Sequence, residues 1–455
     1  SELVRARTSV YGPGIIRHPE LHAQNYRVID DAGNEVPFRL VRWLHGSADS
    51  FEVEFKAEVP AFAPRAYYLE LAKPARQPDP FVIADSKDTE RNWANQPLGK
   101  LSAENGFLRL EIDRATGRLS LFSKQEERCL FRDAEISGIE EMRGDYICNM
   151  PRTGRVVPAV ANSIEIAEHT PVVCRFVIRG SVYGLPFEQK ITLPAGLPEL
   201  EIENTVHWKC GNYVRLVQSF PYPDAEPHEI EYGVPFGKVR YPDTVYKAGL
   251  NFSDIVTPER GNQPDHEIEH LRLAAQWIAF GREGKFTTIG CDHRLWEFKK
   301  DAVRACMVRG IGYCSGGVEI LPDGSQKALQ RPPDGEYTCR YRIRPGLVPQ
   351  CGFELNAPLY PVGIGRCAAG ETKPAVSALP DTTGTGIIGC AVKPAEESDD
   401  IAIRLFETSG IPERLALPEG EWLETDLMER NPVPAQNPLV FKPFEIKTII
   451  RRRTH

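Results

Sequence analysis

With 63 acidic residues and 10 histidines in 455 positions, carboxylates and imidazoles are the first place to look for reactive groups. Two carboxyls can divide acid and nucleophile roles when they sit about 5–5.5 Å apart. Glu140, Glu141 and Asp145 form a local cluster that could supply such a pair. In so acidic a chain, solvated carboxylates explain the cluster equally well. Asp265-His266-Glu267 with His270 is the best local metal candidate, because His266 and His270 would share one face of a helix. Gly261 and Pro264 point to a polar loop there instead. Cys291-Asp292-His293 offers ligands at adjacent positions, and adjacent side chains on a strand point to opposite faces. His207 and Glu203 are the only His–carboxylate pair on a shared strand face, and spacing along one strand does not make an active site. There is no Gly-x-Ser-x-Gly elbow, phosphate loop or dinucleotide fingerprint, and Gly363 to Gly370 reads as a turn cluster. These residues give no catalytic residue and no metal ligand that can be assigned.

The elements that would position any such group are strands. From Glu199 to Tyr241 the chain alternates, with Leu200, Ile202, Asn204, Val206 and Trp208 on one side and Glu199, Glu201, Glu203 and His207 on the other. Val214, Leu216 and Gln218 alternate next, then Ile230, Tyr232 and Val234, with a proline corner from Phe220 to Asp224. This predicts a three-strand antiparallel meander, half of it solvated. No segment of 12 or more residues carries a clean helical stripe, and 38 prolines and 37 glycines punctuate the whole length. The expected fold class is all-β. Residues 1–75 read as a small β-sandwich and the Pro-rich stretch 76–100 as a linker. Residues 101–375 read as one large double-sheet domain with a strand over Leu271–Phe280, and 376–455 as a second small sandwich.

A net charge of −8 without a basic face excludes nucleic acid as a partner, and the run Arg451 to Arg453 reads as a solvated tail. The 11 cysteines are odd in number and lack a CxxC pair. Cys129, Cys174, Cys291 and Cys306 sit among apolar residues as small hydrophobes, which points to a reducing, cytoplasmic compartment. No apolar run is long enough to span a membrane.

The order of the motifs is more specific than any one of them. Ala57 to Leu71 (AEVPAFAPRAYYLEL) closes the first sandwich, and Glu104 to Lys124 (ENGFLRLEIDRATGRLSLFSK) opens the middle. Val206 to Trp208 (VHW), Ser219 to Pro221 (SFP) and Tyr232 to Tyr241 (YGVPFGKVRY) follow. After them come Gln276 to Phe280 (QWIAF) and Cys306 to Gly310 (CMVRG). Arg404 to Gly410 (RLFETSG), Asp426 to Arg430 (DLMER) and Pro443 to Thr448 (PFEIKT) close the chain. Across nearly its whole length this resembles the C-terminal half of the glycoside hydrolase family 38 α-mannosidases. The resemblance implies a galactose-mutarotase-like supersandwich flanked by two smaller sandwiches. It also implies zinc, an Asp nucleophile and an acid residue in an N-terminal α/β barrel, followed by a three-helix bundle. Neither is recognisable here, and no histidine begins a His-x-Asp motif. The chain reads as starting just after that bundle.

In the family a Gly-x-Tyr segment carries a tyrosine from the supersandwich into the mannose site. Tyr146, in Arg143 to Pro151, is the matching residue, with Asp145 beside it. Arg309 resembles an arginine that borders the same site. These three are the expected substrate contacts. The resulting expectation is a non-catalytic wall of a zinc-dependent retaining α-mannosidase, inactive alone, whose partners are an α-mannoside and the catalytic barrel. A stand-alone carbohydrate-binding protein on the same supersandwich is the alternative. A lyase or epimerase on that scaffold would rest on His207 and Glu203.

Overall fold

The computed structural model describes residues 1–9, 26–44, 50–59, 62, 64–75, 78–86, 99–141, 152–209, 214–226, 228–242, 271–292, 294–310, 318–320, 326–328, 332–362 and 379–453. The described residues are almost entirely β, and Gln350–Asn356 is the only α-helix among them. At the N-terminus two three-stranded sheets pack together. One orders Glu2–Ser9, Ser50–Ala57 and Phe38–Leu44; the other orders Glu35–Val36, Tyr26–Asp30 and Tyr67–Leu71. Val4, Val28, Val53 and Phe55 fill the space between them.

The middle is a supersandwich of two large sheets. The nine-stranded sheet runs Val160–His169, Val173–Val182, Leu185–Pro194, Leu200–Trp208, Gly335–Pro345, Lys285–Cys291, Trp277–Arg282, Glu229–Val234 and Gly237–Tyr241. The ten-stranded sheet runs Leu271–Ala274, Arg294–Phe298, Ala302–Arg309, Val214–Pro221, Arg128–Glu141, Leu119–Ser123, Leu108–Asp113, Lys100–Glu104 and Val82–Asp85, with Arg152–Pro158 also paired to Arg128–Glu141. The C-terminal sandwich orders Ile387–Pro394, Ile401–Glu407, Ile446–Arg451, Trp422–Thr425 and Val433–Pro434, faced by a two-stranded sheet.

Period-two alternation sends one face of each strand into a single core. Leu108, Leu110 and Ile112 are fully buried there, with Leu200, Ile202 and Val206 opposite. Phe220 sits at its centre, 5.5 Å from the Phe131 ring, 5.6 Å from Tyr341 and 6.3 Å from Trp296. A buried amide triad crosses between the sheets. Gln189 Nε2 donates to Asn204 Oδ1 at 2.9 Å and to Gln218 Oε1 at 3.0 Å, and Asn204 Nδ2 donates to Gln218 Oε1 at 2.9 Å. A connected network of this kind satisfies polar groups that would otherwise destabilise the core, and it fixes the register of the two sheets.

The recognisable motifs are turn chemistry. Asn105 Oδ1 accepts from the amides of Phe107 and Leu108, both at 2.8 Å, and its Nδ2 donates to the carbonyls of Pro194 and Leu197. Asp113 Oδ1 accepts from Ala115 and Thr116 amides and from the Thr116 hydroxyl, and Gly117 takes φ +74°. In RLFETSG the Glu407 carboxylate accepts from the amides of Ser409, Gly410 and Phe444, tying that turn to PFEIKT.

Four expectations change. The three strands from Leu200 to Val234 do not form a meander: Leu200–Trp208 and Glu229–Val234 belong to the nine-stranded sheet and Val214–Pro221 to the ten-stranded one. Their corners carry the chain across the sandwich, and Val214–Phe220 is buried on both faces. The strand expected over Leu271–Phe280 is two strands in opposite sheets, because Gln276 adopts φ 69° between them. The linker 76–100 includes Val82–Asp85, an edge strand, with Phe81 buried in the core because its ring repays pairing. The basic run is no free tail. Arg451 ends the last strand over the Trp422 ring, and Arg452 and the Arg453 amide both engage Asp400.

Candidate functional site

Of the expected contact residues only Arg309 is described, at the end of three neighbouring strands of the ten-stranded sheet. Arg128–Glu141 pairs with Val214–Pro221, which pairs with Ala302–Arg309. At one end of this trio Glu140 lies opposite Val214, Arg215 lies opposite Arg309, and the Gly310 amide donates to the Val214 carbonyl at 2.9 Å. Arg309 is therefore the last residue of its strand, half-buried beside Arg215 on the face turned away from the core. Asp145 and Tyr146 lie outside the described residues. They fall in the connection between Arg128–Glu141 and Arg152–Pro158, which pair antiparallel through Glu141 and Arg152.

The outer face of the same strands holds an ionic cluster. Arg215 and Glu297, each about 1% exposed, meet at 3.3 Å. Lys299 and Arg304 also reach the Glu297 carboxylate, at 3.4 and 3.6 Å. Sequence reading passed over Arg215 and Glu297, yet a signal existed. Arg215 is flanked by Val214 and Leu216, and Glu297 by Trp296 and Phe298. Flanking core residues alone fit a wet face equally well; Val217, an apolar residue on the same face as Arg215, is what marks that face as covered. Such a face can hold guanidinium donors stiffly for hydrogen bonding to hydroxyl or carboxylate oxygens.

The cluster contains no acid–nucleophile pair. Glu140 points to the core side of the sheet, where the Tyr183 hydroxyl donates to it at 2.5 Å and Arg155 lies 3.3 Å away. That carboxylate pushes the Tyr183 phenol above its ordinary range. Glu140 and Glu297 thus occupy opposite faces and cannot flank one bond. The Glu141 side chain, the Asp265 to His270 segment, His293 and Gly363 to Gly370 lie outside the described residues. Cys291 is fully buried in the core, and Cys174 and Cys351 are buried thiols pushed up to about 12 by burial. His207 and Glu203 do not converge: His207 lies 3.2 Å from Glu336 and Glu203 2.9 Å from Lys190. Among the described residues no three His, Cys, Asp or Glu side chains gather as a metal site. No described helix is long and apolar enough to cross a membrane.

Comparison with known proteins bears on the scaffold that carries this cluster. Residues 103–244 match the model of the glycosyl hydrolases family 38 C-terminal domain, and residues 387–449 match that of the family 38 C-terminal beta sandwich domain. These two stretches carry the glycosyl hydrolase family 38 C-terminal domains. No curated protein matches it. It is similar in structure to an alpha-mannosidase from Enterococcus faecalis V583, with 16% identity and a TM-score of 0.66, over 99% of this chain and 54% of that one. A protein in the glycosyl hydrolase family 38 from Enterococcus faecalis gives 16% identity and a TM-score of 0.69, over 99% of this chain and 56% of that one. At that identity the likeness shows the fold alone. The chain spans about half the length of the solved structures it matches.

Proposed function

We propose that this chain is the non-catalytic β-region of a zinc-dependent retaining α-mannosidase, forming one wall of its sugar site. The observation that carries the reading is the order of two family 38 C-terminal domains, at 103–244 and 387–449, on a fold that aligns with half of an alpha-mannosidase. In this reading the wall is the end of the ten-stranded sheet where Arg309 stands, and Asp145 and Tyr146 follow Arg128–Glu141 in sequence. There a guanidinium and a phenol would orient sugar hydroxyls by hydrogen bonds, with the Arg215–Glu297 pair fixing the strands behind them. Among the described residues no cluster of His, Cys, Asp or Glu could hold zinc; in this reading the metal and the nucleophile belong to the barrel. Cys129, Cys174, Cys351 and Cys390 are free thiols, which supports a reducing setting.

Calorimetric titration of the 455-residue chain with methyl α-D-mannoside separates this reading from a stand-alone sugar-binding protein. A wall lacking its opposite side predicts no binding tighter than about 1 mM, equivalent to about −4 kcal/mol. A tighter Kd would favour the sugar-binding alternative.

A further inference from the structure

The C-terminal sandwich receives one phenylalanine from each of the other two domains. Phe62, from the N-terminal segment, packs against the C-terminal core cluster of Ile387, Leu405, Trp422 and Ile449. Its ring lies directly over Gly389: a Cβ added there would come within 2.1 Å of the ring atoms Cε1 and Cζ. Gly389 pairs with Leu405 across the hairpin Ile387–Pro394 and Ile401–Glu407, so Phe62 lies on the core-facing side. Phe236 lies in the turn between Glu229–Val234 and Gly237–Tyr241 of the supersandwich. Its ring meets Phe406 edge-on, with centroids 5.4 Å apart at 85°. Phe406 neighbours Leu405 on one strand and therefore faces the other way. Both donated residues hold left-handed backbones, Phe62 at φ 55° and Phe236 at φ 55°. At Phe236 the two-residue turn Pro235–Phe236 already sets that conformation, and the side chain is 60% exposed, so Phe236 makes the lesser of the two contacts.

We infer that Phe62 and Phe236 form a two-sided clamp on the first hairpin of the C-terminal sandwich, locking the three domains into one frame. Phe62 completes a core that belongs to another domain, and Gly389 is the slot that admits its ring. Any side chain at 389 must expel the ring. The PFG turn, which the sugar-site reading leaves without a role, becomes the second jaw of the clamp. The inference does not depend on the proposed function.

The test uses the full chain with Phe62→Ala, Phe236→Ala, Gly389→Ala and the double variant Phe62→Ala/Gly389→Ala. The rate of proteolytic release of the C-terminal sandwich and the calorimetric melting profile are read for each. The clamp predicts at least a tenfold faster release for Phe62→Ala and for Gly389→Ala, and a smaller increase for Phe236→Ala. The double variant decides the case. With the ring gone the added methyl has room, so Gly389→Ala costs nothing further and the double matches Phe62→Ala alone, even if Gly389→Ala by itself fails to fold. Release within twofold of wild type for Phe62→Ala, or a double variant clearly worse than Phe62→Ala, overturns the clamp.

Discussion

On the outer face of the nine-stranded sheet, charges reach out of the sheet to other parts of the chain. Arg175 meets Glu54 of the N-terminal sandwich at 2.6 Å, and Glu54 also accepts from Arg5 and Arg39. Arg342 meets Glu2 at 2.8 Å, and the second Glu2 oxygen accepts from the Leu359 amide. Arg344 meets both Glu199 and Glu354 of the short helix. On the outer face of the ten-stranded sheet, Arg215, Lys299 and Arg304 converge on Glu297 from within the sheet itself. The first face is used up by domain packing. The second keeps its charges in place beside Arg309. The contrast separates charges that tie the domains together from charges that brace one sheet internally.

The contrast can be broken at several strengths. Glu54→Ala should have the largest effect. It removes the carboxylate shared by Arg175, Arg39 and Arg5, leaving the two buried arginines only Glu168, and a loss of about 3 kcal/mol in urea unfolding is expected. Acid should reach the same contact by another route. Burial alone would raise the Glu54 pKa, but Arg175, Arg39 and Arg5 hold it down to about 2. A carboxylate with a depressed folded pKa contributes stability that is present above about pH 4.5 and is lost as pH falls toward 2. On the order of 3 kcal/mol should disappear across that window in the wild type and stay flat in Glu54→Gln. Glu297→Gln should cost less, about 2 kcal/mol, because an amide still accepts from Arg215 while the charge is lost. Arg309→Ala should be the mildest for stability, within about 0.5 kcal/mol, because it ends a strand and is half-buried. A loss at Arg309 matching that at Glu54 would erase the distinction between frame and site.

Much of the frame was legible in the sequence. The alternation of Leu108, Leu110 and Ile112, and of Leu200 through Trp208, assigned core faces that the structure keeps. What alternation cannot report is which sheet a strand joins. A period of two is the same on either side of a sandwich. That is why Leu200–Trp208, Val214–Pro221 and Glu229–Val234 read as a meander although they alternate between sheets. Gln276 shows the same limit. A single left-handed residue moves the chain across the core, and nothing in its side chain announces that. At the site, Arg309 was found by resemblance and is placed at the sheet end, whereas Asp145 and Tyr146 lie outside the described residues. Arg215 and Glu297 went unread because alternation alone does not tell a wet face from a covered one, and both residues sit on covered faces.

The central claim is that this chain shapes a sugar site without performing the chemistry. Turnover of an aryl α-D-mannoside by the purified 455-residue chain, assayed with added zinc and again with a chelator, tests it most directly. The account predicts a rate indistinguishable from the buffer blank under both conditions. Turnover that the chelator abolishes would contradict it.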